Sequence, residues 1–162
     1  MVRLEIAERT SFAAGHRFGR SGPYEKITGK FYLEVDPALP ANARITDLKM
    51  APRNGDGRVK LWTDFFLLKP VDPLRGNHRF FCGVNNRGNK LVLGAFNNRG
   101  GNDPSSLEDA GTGFLMREGY SVLWCGWNGD VRAGSGRMQI GLPVAEQDGR
   151  AITGKIYAEI CV

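Results

Sequence analysis

Short runs in which apolar and polar residues alternate dominate the chain and predict more strands than helices. The longest, VKLWTDFFLLKP (59–70), is rich in aromatic and β-branched residues, which predicts a central strand that stops at Pro70. Three further runs also have the length and composition of strands: ITGKFYLEVD (27–36), RFFCGV (79–84) and YSVLWCGW (120–127). The sheet is therefore expected to contain at least these four segments.

Two weaker alternations extend the pattern. Residues 2–12 alternate loosely and predict an edge strand, and RITDLKMAP (44–52) alternates as a further short strand. Asp56-Gly57, directly before the central strand, is a residue pair typical of a tight hairpin turn.

One brief helix is predicted over GFLMRE (113–118). Ser105 or Thr112 can cap its start, and Gly119 stands where a helix end favours a left-handed residue. Because a strand follows directly, this order predicts a helical crossover between two parallel strands.

The last third of the chain predicts a β-hairpin. RMQIGLPV (137–144) and ITGKIYAEICV (152–162) read as strands joined by a second Asp-Gly turn in AEQDGRA (145–151). The apolar alternation of the last strand runs to the final residue through Ile156, Ala158, Ile160 and Val162. We therefore expect residues 1–162 to be one domain and a fragment of a longer protein, with a last strand able to self-associate.

Composition excludes several classes of protein. Hydrophobic residues make up 41% of the chain and charged residues 24%, which is typical of a folded, soluble domain. The net charge is +5, but the basic residues are scattered and form no run typical of a nucleic-acid-binding tail. No apolar run has the length of a membrane span, and the charged N-terminal segment does not resemble a signal peptide. The sequence thus predicts a cytoplasmic protein with no nucleic-acid or membrane partner.

The chain lacks the common patterns of catalytic and metal-binding residues. Its three cysteines include no C-x-x-C pair, so they predict small buried thiols rather than a disulfide framework or a zinc site. The acidic residues form no cluster of metal ligands, and we expect neither a bound metal nor a cofactor. No serine stands in a Gly-x-Ser-x-Gly nucleophile elbow; Ser135 has Ala133 and Arg137 at the flanking positions.

His78 and Cys82 do not form a catalytic dyad. Residues four apart on one strand are separated by about 13 Å at the usual rise per residue. A nucleophile and its base must lie within hydrogen-bond reach.

The tetrapeptide Asn-Asn-Arg-Gly occurs twice, at 85–88 and at 97–100. The first copy directly follows the strand predicted at 79–84, a position where backbone amides can hold an anion or a reacting oxygen. The candidate residues are Asn85, Asn86, Arg87 and Gly88. The alternative is a solvated turn whose side chains contact nothing, and the second copy reads as a surface loop.

Four segments of the chain, in this order, carry a resemblance: residues 18–73, NNRGNK at 85–90, residues 113–131 and ITGKIYAEI at 152–160. Together they resemble the N-terminal part of a large α/β-hydrolase-domain family of bacterial proteins. Members of that family are longer, and their Gly-x-Ser-x-Gly-type elbow, acid and histidine lie beyond the matching part.

The resemblance implies a β-rich α/β fold: a mixed sheet of early α/β-hydrolase strands, one short crossover helix and a C-terminal β-hairpin. It implies esterase-type hydrolysis, with the loop after the third strand donating a backbone N–H to the oxyanion hole. Asn85 to Gly88 stand at the corresponding place. Without nucleophile, acid and histidine, the chain is not expected to be catalytic alone. Its expected partners are the missing catalytic half or a small ester substrate.

A function from another class remains open. Trp62, Trp124 and Trp127 can offer a stacking face for a sugar or a peptide, which would make the chain an independent β-rich binding module. The competing interpretation of these tryptophans is packing in the core.

Overall fold

Six strands form one mixed sheet in a computed structural model that describes residues 2–155 and residue 157. The strands are β1 (Val2–Ser11), β2 (Tyr24–Val35), β3 (Val59–Pro70), β4 (Phe80–Gly83), β5 (Ser121–Cys125) and β6 (Ile140–Gly141). Their order across the sheet is β1-β2-β3-β5-β4, and β6 pairs with β3 beyond the end of β5. The fold is thus a β-rich α/β fold, as the sequence predicts at this level.

The antiparallel pair of β2 and β3 forms the centre of the sheet. Its register runs without interruption from Tyr24 opposite Pro70 to Val35 opposite Val59. Aromatic and β-branched residues fill both strands and pack well on a pleated surface, which explains why the sequence predicts them correctly.

The prediction of a strand at 44–52 is wrong. Between β2 and β3 the chain instead makes two short 3₁₀ helices, Pro40–Asn42 and Leu48–Met50. Asp47 has a left-handed backbone with φ of 57°, which interrupts any extended pairing. Leu48 and Ala51 pack on Val59 at the end of the sheet, so the apolar alternation serves local packing.

The crossover between β4 and β5 contains three short helices instead of the single one predicted. They are α1 (Val92–Asn97), α2 (Leu107–Ala110) and α3 (Phe114–Arg117). β4 and β5 are neighbouring parallel strands, as predicted for a helical crossover. Sequence reasoning missed α1 because its six residues contain Gly94 and have no capping side chain before them.

The residues that cap the helices differ from those predicted. Ser106 caps α2 by accepting a hydrogen bond from the Asp109 amide, and Asp109 accepts one from the Ser106 amide in return. Ser105 and Thr112 are therefore not the capping side chains. Gly119 does follow α3 with φ of 77°, as the sequence predicts.

The two faces of the sheet are covered unequally. On one face Phe66, Leu68, Val122 and Trp124 are buried together with residues of α1 and α3. The opposite face carries Ile27, Phe31, Leu61, Leu67, Leu123, Phe80 and Cys82, as the strand registers require. Of these, Ile27 is buried, Cys82 is exposed and Phe80 is 68% exposed, whereas the four others are half-buried. Val59 and Phe65 lie on the same face and are buried. This second face is apolar but only partly covered.

Within the described residues, the C-terminal hairpin is short. Only Ile140 and Gly141 of the segment 137–144 form a strand, and β7 (Glu146–Gln147) pairs with β8 (Arg150–Ala151) around the Asp-Gly turn. Residues 152–155 and 157 are not in a strand. Ile156, Ala158, Ile160 and Val162 lie outside the described residues, so self-association through the last strand stays a prediction. Across the part of the chain that is described, no helix is both long and apolar enough to span a membrane.

Candidate functional site

The candidate site lies where β4 and β5 end side by side. These strands pair in parallel from Phe80 opposite Ser121 to Gly83 opposite Trp124, so their following loops, 84–90 and 126–131, leave the same edge of the sheet. RFFCGV and YSVLWCGW are therefore neighbours, as the hydrolase interpretation of the first Asn-Asn-Arg-Gly requires. In open α/β sheets, ligands bind at this carboxyl edge of the strands.

Asn85 connects the two loops by hydrogen bonds. Its side chain is 2% exposed, and its Nδ2 donates a hydrogen bond of 2.7 Å to the Cys125 carbonyl. The indole Nε1 of Trp127 donates one of 2.8 Å to the Asn85 carbonyl. The Asn85 Oδ1 is buried and accepts no hydrogen bond from any residue that the structure describes. A buried acceptor without a partner is costly, and such atoms often mark sites that bind a further group.

The next four residues form a tight turn. The Asn86 amide donates to the Asn89 carbonyl at 3.1 Å, and the Asn89 amide donates back to Asn86 at 3.0 Å. Arg87 and Gly88, at the centre, have φ of 47° and 83°, which are the left-handed values of a type I′ turn. Among residues 2–155 and 157, nothing accepts a hydrogen bond from the amides of Asn85, Arg87 or Gly88.

Arg87 does not stand free in solvent. Its guanidinium pairs with the Asp130 carboxylate at 2.8 Å, across the gap between the two loops. Since Asn85 is buried and Arg87 is paired, a solvated turn whose side chains contact nothing is the wrong description of 85–88. An exposed pair of this kind adds little stability, but it restricts where the turn can lie.

Gly88 is required by the protein's own backbone. Its carbonyl accepts a hydrogen bond of 2.9 Å from the Met138 amide, and a Cβ at this position would lie 2.8 Å from the Met138 carbonyl oxygen. The space beside Gly88 is therefore occupied by the segment around Met138 rather than left open for a ligand oxygen.

We expect Gly88→Ala to lower the free energy of unfolding by about 2 kcal/mol, since the new methyl group adds torsional strain and a close contact. Gly57→Ala is the matched control, because Gly57 has φ of 73° and a Cβ there would meet no atom within 4 Å. It should lose only about 1 kcal/mol. Urea unfolding of both variants makes the comparison. Equal losses would show that the contact with Met138 has no energetic effect.

The second Asn-Asn-Arg-Gly is not a plain surface loop. Asn97 is the last residue of α1 and is fully buried, whereas Arg99 is exposed and pairs with Glu108. The Asn97 side chain donates to the Ala110 carbonyl at 2.9 Å and accepts from the Leu115 amide at 3.2 Å. In both copies, therefore, the side chain of the first asparagine is buried and hydrogen-bonds to backbone groups.

Lys90 and Asn102 lie beside the turn and stabilise it by hydrogen bonds. The sequence analysis predicted neither residue. The Asn102 side chain accepts from the Lys90 amide at 3.0 Å and donates to the Asn89 side chain at 2.7 Å. The buried Lys90 Nζ donates to the carbonyls of Asn102 and Gly136. Burial lowers the pKa of Lys90 to about 8. The only signal in the sequence was a lysine directly before the apolar residues of α1.

The Lys90 ammonium also lies 4.6 Å from the centre of the Phe66 ring and borders a groove of about 260 Å³. Asp64 and Asp103 line the same groove, so its charges are mixed. Asp64 pairs with Lys30 and Asp103 with Lys26. These partners make the groove a network of structural ion pairs behind the turn.

The described nucleophile candidates outside the turn lie in unlike surroundings. Cys82 is exposed, which contradicts the expectation of buried thiols, and Cys125 is half-buried, with burial raising the pKa of its thiol. Cys161 lies outside the described residues. Ser135 has φ of 53° in an exposed loop. The described part of the chain contains no group of three or more His, Cys, Asp or Glu side chains that could hold a metal ion.

The three tryptophans do not form one stacking face. Trp124 is fully buried in the core. The ring of Trp62 is covered by the Lys30 ammonium at 3.5 Å and lies against Gly141. Only Trp127 presents a largely exposed ring, 54% accessible, beside Asn85 at the candidate site.

The chain matches no family model, and searches of curated proteins and of solved structures find no match to it either.

Proposed function

We propose that this chain is the N-terminal part of an α/β-hydrolase-like protein of esterase type, and that loop 84–89 forms one wall of its oxyanion site. The observation that carries the proposal is the position of Asn85. It follows β4 at the carboxyl edge of a parallel pair, and its backbone amide donates to no other described residue. A backbone N–H at this place is what the oxyanion hole of the fold uses.

The order of strands supports the same proposal. An α/β-hydrolase sheet begins with antiparallel strands and then crosses through helices into a parallel sheet. Here β2 and β3 are antiparallel, β3 and β5 are antiparallel, and β4 and β5 are parallel. With β1 as an additional edge strand, β4 corresponds to the third strand, whose following loop donates the oxyanion amide.

The uncovered apolar surface is also consistent with a larger protein. Of the strands that the structure describes, β4 is the last at its end of the sheet, and Phe80 and Cys82 on it are exposed. All-parallel sheets are normally covered by helices on both faces, and β4 and β5 form the parallel part of this sheet. The free edge of β4 is adjacent to the Asn85 loop, so a strand added there would bring its own following loop to the candidate site.

In this proposal the chain binds and orients the ester substrate but does not supply the nucleophile. The amides of Asn85, Arg87 and Gly88 supply dipoles for a developing oxyanion, while the Asn85 side chain and the Arg87–Asp130 pair hold those amides in place. The nucleophilic serine, its histidine and the acid come from another segment. Such a preorganised donor contributes about 3 kcal/mol of transition-state stabilisation in enzymes of this type.

The 162-residue chain by itself is expected to hydrolyse short-chain p-nitrophenyl esters no faster than buffer, because it contains no activated serine. The measurement is the release of p-nitrophenolate with and without a serine-directed phosphonate. Turnover that the phosphonate abolishes would contradict this expectation.

The proposal itself is tested by the coding sequence that follows codon 162. We expect an open frame that encodes a Gly-x-Ser-x-Gly elbow, and esterase activity when both segments are produced as one polypeptide. In that polypeptide Gly88→Ala keeps the backbone amide but should reduce kcat by about a hundredfold, because the added methyl group displaces the turn that carries the donor amides. Assays must be made where the variant is still folded. A stop codon with no neighbouring hydrolase gene would overturn the proposal.

Trp127 favours a second candidate, a binding module for carbohydrate or peptide, because its exposed ring adjoins a polar loop. Titration with soluble oligosaccharides or peptides should then change the tryptophan fluorescence, and Trp127→Phe should alter the response. If the isolated chain shows no fluorescence response, only the hydrolase proposal remains.

A further inference from the structure

The edge strand β1 has an exposed surface on both faces. Among residues 2–155 and 157 it pairs only with β2, and every residue from Val2 to Ser11 is exposed. Val2, Leu4 and Ile6 are 65%, 52% and 51% exposed and lie on one face of the sheet, opposite Leu33, Phe31 and Gly29 of β2. An edge strand of this kind leaves alternate N–H and C=O groups free to pair with another strand.

A β-bulge limits the part of this edge that can accept a partner. The register with β2 shifts between Ile6 and Glu8, so Ala7 is the extra residue. Bulges bend a strand and increase its twist, which turns the following residues away from a regular neighbour. The regular edge therefore consists of residues 2–6.

The sequence of this regular edge, VRLEI, is complementary to itself when read antiparallel about Leu4. In that register Leu4 faces Leu4 of a second copy, and Val2 faces Ile6, so one face forms a continuous apolar row. On the other face Arg3 lies opposite Glu5 twice, which gives two pairs of opposite charge. Opposite charges and apolar residues placed directly across strands both stabilise pairing.

Other antiparallel registers of the same edge lack this match. Centring the pair on Glu5 places Glu5 opposite Glu5 and Arg3 opposite Ala7, while centring it on Arg3 places Arg3 opposite Arg3. A shift by one residue places Leu4 opposite Glu5. Like charges directly across strands are destabilising, so the charges select the register centred on Leu4.

We infer that β1 is a homodimerisation edge, at which two copies of this chain pair antiparallel about Leu4 and join their sheets. Within one chain Arg3 pairs with Glu5 at 3.0 Å and lies 4.0 Å from the centre of the Tyr32 ring, so both charges lie on the face where Glu5 and Arg3 of the second copy would arrive. The contact is small compared with stable interfaces, so the dissociation constant should be about 0.1 mM.

A charge swap tests the register. Sedimentation equilibrium from 10 µM to 1 mM, taken as about tenfold on either side of the expected constant, should show monomer and dimer of the parent chain. Arg3→Glu and Glu5→Arg should each weaken dimerisation by about tenfold, since each places like charges across the pair. The combined variant R3E/E5R restores opposite charges and should return to within about threefold of the parent. A double variant as weak as the single ones would overturn the inference, as would a monomeric parent over the whole range.

A further variant locates the contact. Leu4→Lys should abolish the dimer without lowering the thermal midpoint of unfolding, because Leu4 is exposed in the monomer. A dimer that survives this change would show that another surface, such as the last strand, is responsible, and would overturn the inference.

Leu4→Cys should form a disulfide with its counterpart under mild oxidation, since directly opposed residues bring their Cα atoms within about 5.5 Å. Thr10→Cys, beyond the bulge, is the matched control and should not cross-link to itself. Peptide mapping distinguishes this disulfide from any that involves the native cysteines. Dimerisation without a cross-link between the two introduced thiols would refute the register centred on Leu4.

Discussion

We expect the Asn97→Ala variant to lose about 3 kcal/mol of unfolding free energy, because it removes a fully buried side chain that pairs with two buried backbone groups. The Asn97 Oδ1 accepts from the Leu115 amide, and its Nδ2 donates to the Ala110 carbonyl. Helix α3 begins after Gly113, which has no capping side chain, so Asn97 satisfies an amide of that helix from another element. Alanine would leave the Leu115 amide without a partner in the core, whereas the Ala110 carbonyl would keep only its hydrogen bond from the Gly113 amide.

The comparison for this variant is Asn86→Ala, at the second position of the other Asn-Asn-Arg-Gly. Asn86 is exposed, and its loss should change the free energy of unfolding by less than about 0.5 kcal/mol. Urea unfolding at an unchanged m-value measures both effects. If Asn97→Ala cost less than about 1 kcal/mol, water would have to replace the lost side chain, contrary to the closed packing of α1 and α3.

The second large effect is expected at Glu25, which joins three neighbouring strands. Its side chain is 8% exposed, and it pairs with Arg9 of β1 at 2.5 Å and with Lys69 of β3 at 2.6 Å. Truncation leaves Lys69 and Arg9 without their common anion. The buried carboxylate is the group that is removed and the cations that remain are partly exposed, so Glu25→Ala should reduce stability by about 2 kcal/mol.

The pH dependence of the Glu25 contribution has a defined sign. Burial opposes ionisation of the carboxylate, but the hydrogen bonds from Arg9 and Lys69 outweigh it and lower the pKa of Glu25. The folded state therefore binds fewer protons than the unfolded state in the acid range. The stabilisation is complete above the pKa of an unfolded glutamate, about 4.3, and is lost as the pH falls through the folded pKa.

Stability measured from pH 3 to pH 8 tests this sign, a range of about one pH unit below and several above the unfolded pKa. The difference between the parent chain and Glu25→Gln should be constant near neutral pH and should shrink below about pH 4.3. Glu108→Ala breaks the exposed Arg99–Glu108 pair and serves as the control, with an effect of about 0.5 kcal/mol or less. A difference that grew in acid would contradict the assignment of the lowered pKa.

Local sequence patterns predict the main strands and turns of this protein. The strands β2, β3 and β5 were predictable because alternation and β-branched composition describe one residue's relation to its own neighbours. The same holds for Gly119 at the end of α3 and for the Asp-Gly turn between β7 and β8, whose left-handed torsions depend on residue type.

The candidate site was predictable only in part. Residue type and position after an apolar run pointed to Asn85–Gly88, and the pairing of β4 with β5 followed from the crossover rule. The sequence did not indicate that Asn85 is buried, that Arg87 meets Asp130, or that Lys90 and Asn102 support the turn. Each of these contacts joins residues 12 to 43 positions apart, and separation of that kind leaves no periodic signal.

Local patterns in the amino-acid sequence are sufficient for the β-rich class, the main strands and the helical crossover, because hydrophobic period and turn chemistry are properties of neighbouring residues. Packing between distant segments was needed to turn the alternating segment 44–52 into 3₁₀ helices and to form α1 despite weak helix signals. It also gives the two copies of Asn-Asn-Arg-Gly different surroundings. The physical reason is that a side chain's contacts depend on which element lies opposite. Asn97 faces the start of α3, where an amide needs a hydrogen-bond acceptor, whereas Asn85 lies at the carboxyl edge of the sheet and joins the loops that follow β4 and β5.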